Sequence, residues 1–219
     1  MPVLPIFPLQ SVLLPGMPLV LRIFEPRYLL MFERVLEGSG EFGVVLIERG
    51  PEVGGVDRRF TRGTLAEVKQ YREMEDGELA VVASGGPRFE IDRWYDDDPY
   101  PQAMVRWLPA LEWSEDLVPL RERTERVVRR ALATASEFGA TAWPANVELD
   151  DDPILSTWQL AGIAPLGPLD HLALLGAASL GELLERTAGL TAAAEETLTL
   201  GSGEDLDFPF DDDDRGPRP

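Results

Sequence analysis

The sequence predicts an α+β protein: a small, strongly bent β-sheet or barrel with one helix inserted early, followed by a C-terminal α-helical bundle. Three observations predict it. Pro15-Gly16 sits between two apolar runs, the second of which hands straight to a proline-opened helix. Short β-patterned segments bounded by Gly, Pro and Asp continue to about residue 108, which is the pattern of strands and turns. From Pro109 onward the apolar residues step by three and four instead, the period of helices packed on one face.

Residues 5 to 28 organise the chain. Leu14-Pro15-Gly16-Met17 suits a type II turn, because proline presets φ at the first central position and glycine accepts positive φ at the second. A pair of short strands is expected on either side, the turn folding one back on the other. Glu25-Pro26 then opens a helix to about Glu37, with proline at its first position. Phe42 to Ile47 reads as a buried strand, and Arg49 to Phe60, with Pro51, Gly54 and Gly55, as a long loop. A strand from Gly63 to about Met74 meets the Asp76-Gly77 hairpin signal, and Leu79 to Ala83 returns. Gly85-Gly86-Pro87 is expected to break that strand before Arg88 to Trp94 and Tyr100 to Leu108 complete six or seven.

The helical part begins near Ser114. Leu117, Leu120, Thr124, Val127, Ala131, Ala135 and Phe138 mark one face, Glu122–Arg126 and Glu125–Arg129 are spaced as i,i+4 ion pairs, and Gly139 ends it. Asp152-Pro153 and Gly167-Pro168 start further helices, and Ser179-Leu180-Gly181-Glu182 has capping-box spacing. The expected units are residues 1–110, 111–200 and an acidic tail, 201–219, too charged to fold alone. Within that tail Leu206, Phe208 and Phe210 form a short apolar motif able to dock extended in a groove.

Composition bounds the function. The chain has 219 residues, 44% of them hydrophobic, and a net charge of −19. That charge argues against nucleic acid, whose phosphates need clustered Lys and Arg. Lys69 and His171 are the only lysine and histidine, and cysteine is absent, which removes thiolate chemistry and cysteine-held zinc. Neither a targeting signal nor an apolar run of membrane-spanning length is present, so the expectation is a cytoplasmic protein without membrane attachment. The aspartate runs at 96–98, 150–152 and 211–214 lack calcium-loop spacing; no metal ligand, cofactor or catalytic residue is expected. His171, beside Asp170 on a helix with no serine elbow, reads as a capped or surface histidine.

The charged residues lodged in the most apolar motifs are Glu25, Arg27 and Arg88. Glu25 is expected to cap the helix opened by Pro26, and an arginine to stitch that helix to the barrel by bidentate hydrogen bonds; the competing reading has them lining a peptide groove. Phe24, Trp107, Trp143 and Trp158 are the aromatic candidates for an apolar cleft between barrel and bundle, with Trp143, on a loop before Pro144, the most exposed.

Pro5 to Leu9, Leu14-Pro15-Gly16, Ile23 to Tyr28, Phe42 to Ile47, Gly63 to Ala66 and Arg88-Phe89 stand in the order found in the N-terminal substrate-binding domain of the Lon protease family, which residues 3 to about 108 resemble. Trp158 to Gly162 and Leu169 to Leu175 resemble, less closely, the helices of stand-alone bacterial members. The resemblance implies a PUA-like barrel, a helical bundle, and binding of unfolded or extended apolar polypeptides, with an ATP-dependent protease as a second partner. It departs from the full protease in lacking the Gly-x-x-x-x-Gly-Lys-[Ser/Thr] phosphate loop, and Lys69 lies in no motif that would activate a serine. A PUA-like fold also raises nucleic-acid binding through Arg58, Arg59 and Arg62 as an alternative, against the sign of the charge, and an open strand edge raises homodimerisation.

Overall fold

The structure, a computed structural model, describes residues 1–48, 59–137, 139 and 142–201. The expected long loop up to Arg58, Phe138 and the acidic tail beyond Gly201 lie outside the described residues. Six strands and five helices follow in order: β1 (Val3–Leu9), β2 (Pro18–Ile23), α1 (Pro26–Glu37), β3 (Glu41–Ile47), β4 (Arg59–Glu73), β5 (Leu79–Trp94), β6 (Gln102–Trp107), α2 (Val118–Glu137), α3 (Pro153–Ile163), α4 (Pro168–Leu175) and α5 (Leu180–Gly201).

The sheet runs β2-β5-β4-β3-β1-β6, and a further β5–β6 pairing closes the last five strands into a barrel. The turn at Pro15-Gly16 forms as expected, with Gly16 at φ +73° and the Met17 N–H donating to the Leu14 carbonyl at 3.2 Å. The strands beside it do not pair with each other. β1 lies parallel to β3 and antiparallel to β6, while β2 pairs with β5. The reason is that the turn backs onto β5: the Gly16 N–H donates to Gly85 O (2.8 Å) and the Gly85 N–H to Met17 O (2.9 Å). Gly85-Gly86-Pro87 likewise does not end a strand. β5 continues through it, two steps of β4 (Thr64 to Ala66) facing three steps of β5 (Arg88 to Gly85), a bulge that bends the sheet.

α1 covers the outside of β1 and β3. Phe7 meets Tyr28 at a tilt and Phe32 edge-on, with ring centroids 4.6 and 5.8 Å apart, and Phe32 meets Phe42 edge-on at 4.9 Å, the edge-to-face geometry being one that aromatic pairs favour. Glu25 precedes α1 without capping it; its carboxylate instead accepts from Arg27 Nε at 3.0 Å, because Pro26 at the first helical position has already removed one orphan donor. The caps expected further on do form. Asp152 accepts from the N–H groups of Ile154 and Leu155 at 2.8 and 2.9 Å, and Ser179 Oγ accepts from Glu182 N at 3.1 Å while Glu182 accepts from Ala178 N at 2.7 Å. On α2, Glu125 pairs with Arg129 (2.8 Å) and Arg121 (3.5 Å).

A small apolar cluster of Leu4, Ile6, Val45, Leu65, Phe89, Ile91, Ala103 and Val105 fills the barrel. A second and larger one runs without interruption from Phe7, Phe32 and Phe42 through Leu14 and Met17 to Trp158, Leu174 and Leu184, so barrel and bundle bury their apolar faces against each other. Arg88, only 6% exposed, crosses that seam. Its Nη1 donates to the carbonyls of Leu175 (2.9 Å) and Ala177 (2.8 Å) and its Nη2 to Pro109 O (2.8 Å), with the guanidinium carbon 5.0 Å from the Trp158 ring centroid. The arginine stitch thus ties the barrel to the end of α4, where carbonyls left over by the helix attract a cation, and not to α1. Among the described residues no helix is long and apolar enough to cross a membrane.

Arg88→Met keeps an unbranched stem but removes every donor, leaving three carbonyls without their partner; urea unfolding is expected to show a loss of about 3 kcal/mol, with Arg88→Lys recovering only part because a single ammonium cannot span the three acceptors. A loss below about 0.5 kcal/mol, the scale of an ordinary surface substitution, would mean that the seam does not need the guanidinium.

Candidate functional site

The turn between β1 and β2 is apolar on both sides, which a solvent-facing turn has no reason to be, and the structure shows what covers it. Ser11 to Leu14, Met17 and the first residues of β2 (Pro18, Leu19), Trp143, Gly162 near the end of α3, Leu166 in the link that follows and the start of α4 (Pro168, His171) enclose a cleft of about 300 Å³. Such a volume is at the lower end for ligand sites, and mostly apolar walls with a few polar atoms are usual there. Gly162 permits the close approach: a Cβ at that position would stand 2.6 Å from Met17 Cγ.

The walls are held by polar contacts to backbone. Gln159 on α3 donates to Gly16 O at 3.2 Å and accepts from Asp150 N at 2.7 Å, joining the turn, α3 and the preceding loop. Arg129 donates from Nη1 to Ala145 O (2.7 Å) and Val147 O (3.2 Å), which fixes the loop carrying Trp143. His171 is half-buried in the far wall, not on the surface. Burial is the largest influence on it and pushes its pKa below the ordinary histidine value, against the opposing pull of the Ala161 and Ala164 carbonyls and Asp170; its Nε2 has no hydrogen-bond partner.

The candidate residues separate. Trp143 lines the cleft and is half-buried; the most exposed tryptophan is Trp107, at 42%. Arg88 and Trp158, 6% and 3% exposed, stack on each other inside the seam and are closed to a ligand. Phe24, 64% exposed, follows the Ile23↔Leu79 pair at one end of β5, and Trp107 pairs with Phe89 near the other. Phe24, with its neighbours Glu25 and Arg27, and Trp107 therefore do not share a groove. Sequence reasoning missed Val12, Leu14, Met17, Leu19, Leu166 and His171 as cleft walls; the signal for the first four was the apolar turn itself.

Lys69 is exposed and pairs with Glu67 at 2.7 Å. Among the described residues no group of three or more His, Cys, Asp or Glu is placed to hold a metal ion. Of the three arginines read as a basic patch, Arg58 lies outside the described residues, Arg59 is bonded to Asp97 and lies over Trp94, and Arg62 pairs with Glu90 at 3.1 Å. The latter two belong to β4, which starts earlier than expected.

His171 gives a direct reading of cleft burial. Its folded pKa lies below the unfolded value, so the stability it contributes is complete above about pH 6.5 and is lost as pH falls through the lowered folded value, where the unfolded state binds more protons. A proton NMR titration of this single imidazole is expected to give a pKa below about 6.5, and the acid loss of stability should shrink in His171→Gln; an ordinary or raised value would place the ring in solvent.

The family described as the ATP-dependent protease La (LON) substrate-binding domain matches residues 3–192. Lon protease of Parabacteroides distasonis is 29% identical over 155 residues, covering 70% of this chain and 18% of the relative, and protein cereblon of Danio rerio is 32% identical over 111 residues, covering 48% and 25%. The chain thus spans about a fifth of the Lon proteases it matches. Among solved structures, a Lon N-terminal domain protein from Xanthomonas campestris superposes with a TM-score of 0.61 at 27% identity, covering 86% of this chain and 98% of that one. The N-terminal domain of the Mycobacterium avium complex Lon protease, at 16% identity and a TM-score of 0.62 over 87% and 98%, shares the fold. With its bent barrel, its helices and a family match across nearly its whole described length, the chain belongs to the Lon substrate-binding domain family.

Proposed function

We propose that this protein is a non-catalytic binding module that holds unfolded or extended apolar polypeptide segments, serving protein quality control or an ATP-dependent protease in trans, in the cytoplasm. The observation that carries the reading is the apolar cleft beside β2. Its walls come from both of the units we distinguish, residues 1–110 and 111–200, and Met17, Leu19 and Trp143 offer an inserted side chain a dry surface. Burying one leucine or phenylalanine there is worth about 1.5–3 kcal/mol. Among the described residues β2 is bonded on one side only, to β5, and its outer edge is open to strand addition; Val20, 74% exposed, lies along it.

The absence of the phosphate loop from the sequence and the place of Lys69 on an exposed strand support the non-catalytic part of the reading. Nucleic-acid binding is the weaker alternative, since Arg59 and Arg62 are engaged by acidic side chains and the chain carries a net charge of −19.

Fluorescein-labelled, reduced and carboxymethylated serum albumin is expected to bind the full chain and to remain uncut with or without ATP. Trp143→Ala and Leu19→Asp should each weaken binding about tenfold, the scale of a contact residue at an apolar pocket, with Trp143→Ala leaving the melting temperature nearly unchanged. Wild-type protein that fails to bind, or that cleaves the albumin, overturns the proposal.

A further inference from the structure

A second groove lies at the hairpin end of the barrel. The β3–β4 register stops at Glu41↔Glu67, with one more hydrogen bond from Val68 N to Gly40 O at 2.8 Å, whereas the β4–β5 register runs on to Glu73↔Leu79. For Lys69 to Glu73 the side of β4 away from β5 therefore carries no strand among the described residues, and all five are exposed. Facing this free edge across a groove of about 480 Å³ are Leu29, Leu30 and Leu36 of α1, partly buried at the margin of the core, with Tyr71 on the strand side. Tyr71 is 57% exposed. Glu33 and Glu73 line the same groove, and neither has an ion-pair partner among the described residues, whereas Glu78 is held by Arg22.

We propose that this groove binds an extended polypeptide segment in which every second residue is by turns apolar and Lys or Arg, added as a strand to the free edge of β4. The pleat supplies the recognition: alternate side chains of an added strand point to opposite faces, so only every second one enters the groove. There the apolar ones pack on Leu29, Leu30 and Leu36 and the basic ones reach Glu33 and Glu73, which line the same groove. Backbone hydrogen bonds to the edge give affinity without regard to sequence, and the apolar and acidic walls give the preference. A second copy of this chain fits poorly, because it would bring the same unpaired acids together; like charges juxtaposed oppose association. The proposal rests on the polypeptide-binding reading above but assigns it a different surface and a defined client chemistry.

The probe is a fluorescein-labelled leucine–lysine peptide of ten residues in which serine separates leucine and lysine in turn, with a leucine–glutamate peptide of the same pattern and an alternately N-methylated leucine–lysine peptide as controls, titrated by anisotropy onto the full chain. The leucine–lysine peptide is expected to bind at least tenfold tighter than either control. The double substitution Glu33→Lys with Glu73→Lys should weaken it at least tenfold, while Glu115→Lys with Asp116→Lys, on the far helical part, changes it less than twofold. Equal effects from the two charge reversals, or indifference to N-methylation, while carboxymethylated albumin still binds in a Trp143-dependent way, overturn this inference alone. Wild-type protein that binds neither probe overturns both readings.

Discussion

The arrangement depends on one buried cation. Arg88 projects from the bulged middle of β5 into the seam, where it finds no carboxylate: its acceptors are the carbonyls of Leu175, Ala177 and Pro109, and the Trp158 ring lies against it. Burial and the nearby Arg62 both lower its pKa, so the site costs free energy that the hydrogen bonds must offset. A guanidinium is suited to this, being planar, less strongly hydrated than an ammonium and able to donate in several directions at once. The three carbonyls belong to the end of α4, the turn after it and the connection that enters the helical part. One side chain therefore holds both the entry to the helical part and the turn between α4 and α5 against the barrel.

That attachment makes the cleft a property of the assembled chain. Its floor is the β1–β2 turn, hydrogen-bonded to Gly85 at one end of the β5 bulge, and its roof is α3, α4 and the Trp143 loop. The same apolar cluster that fills the seam supplies the cleft walls, and a residue such as Met17 serves both. Core packing here sets the shape of the surface presented to a ligand, since close-packed interiors transmit displacement instead of absorbing it.

Local signals in the sequence were legible. The Pro-Gly turn, the proline-opened α1 with Gly38 at its end, the Asp76-Gly77 hairpin and the caps at Asp152 and Ser179 each rest on a few adjacent residues whose backbone preferences leave little choice. What could not be read is what long-range contacts decide. The β1–β2 turn looks like a hairpin because its residues are indistinguishable from one, yet Gly85, some seventy positions away by the numbering, takes the hydrogen bonds a hairpin partner would need. Gly85-Gly86-Pro87 looks like a break because a bulge uses the same residues. Arg88 was singled out as a stitch, but its partners are backbone carbonyls, which leave no mark in a sequence. For the site, loop position suggested Trp143 as the most exposed tryptophan; Arg129 and Gln159 instead hold its loop and the turn against α3, and exposure falls to Trp107 at the end of β6.

The resulting molecule carries a preformed apolar cleft and, among the described residues, unpaired edges on β2 and the hairpin end of β4, while Arg59, Arg62 and Arg88 are engaged by groups of the same chain. The central claim is that an unfolded chain is gripped at these surfaces and left chemically intact. Hydrogen–deuterium exchange of the full chain, with and without reduced and carboxymethylated albumin, tests it most directly when the albumin's intact mass is recorded alongside. The account predicts slowed exchange at Met17–Leu19 and in the loop around Trp143, with the albumin mass unchanged. Exchange that is unaltered there, or albumin fragments appearing in the mixture, would contradict it.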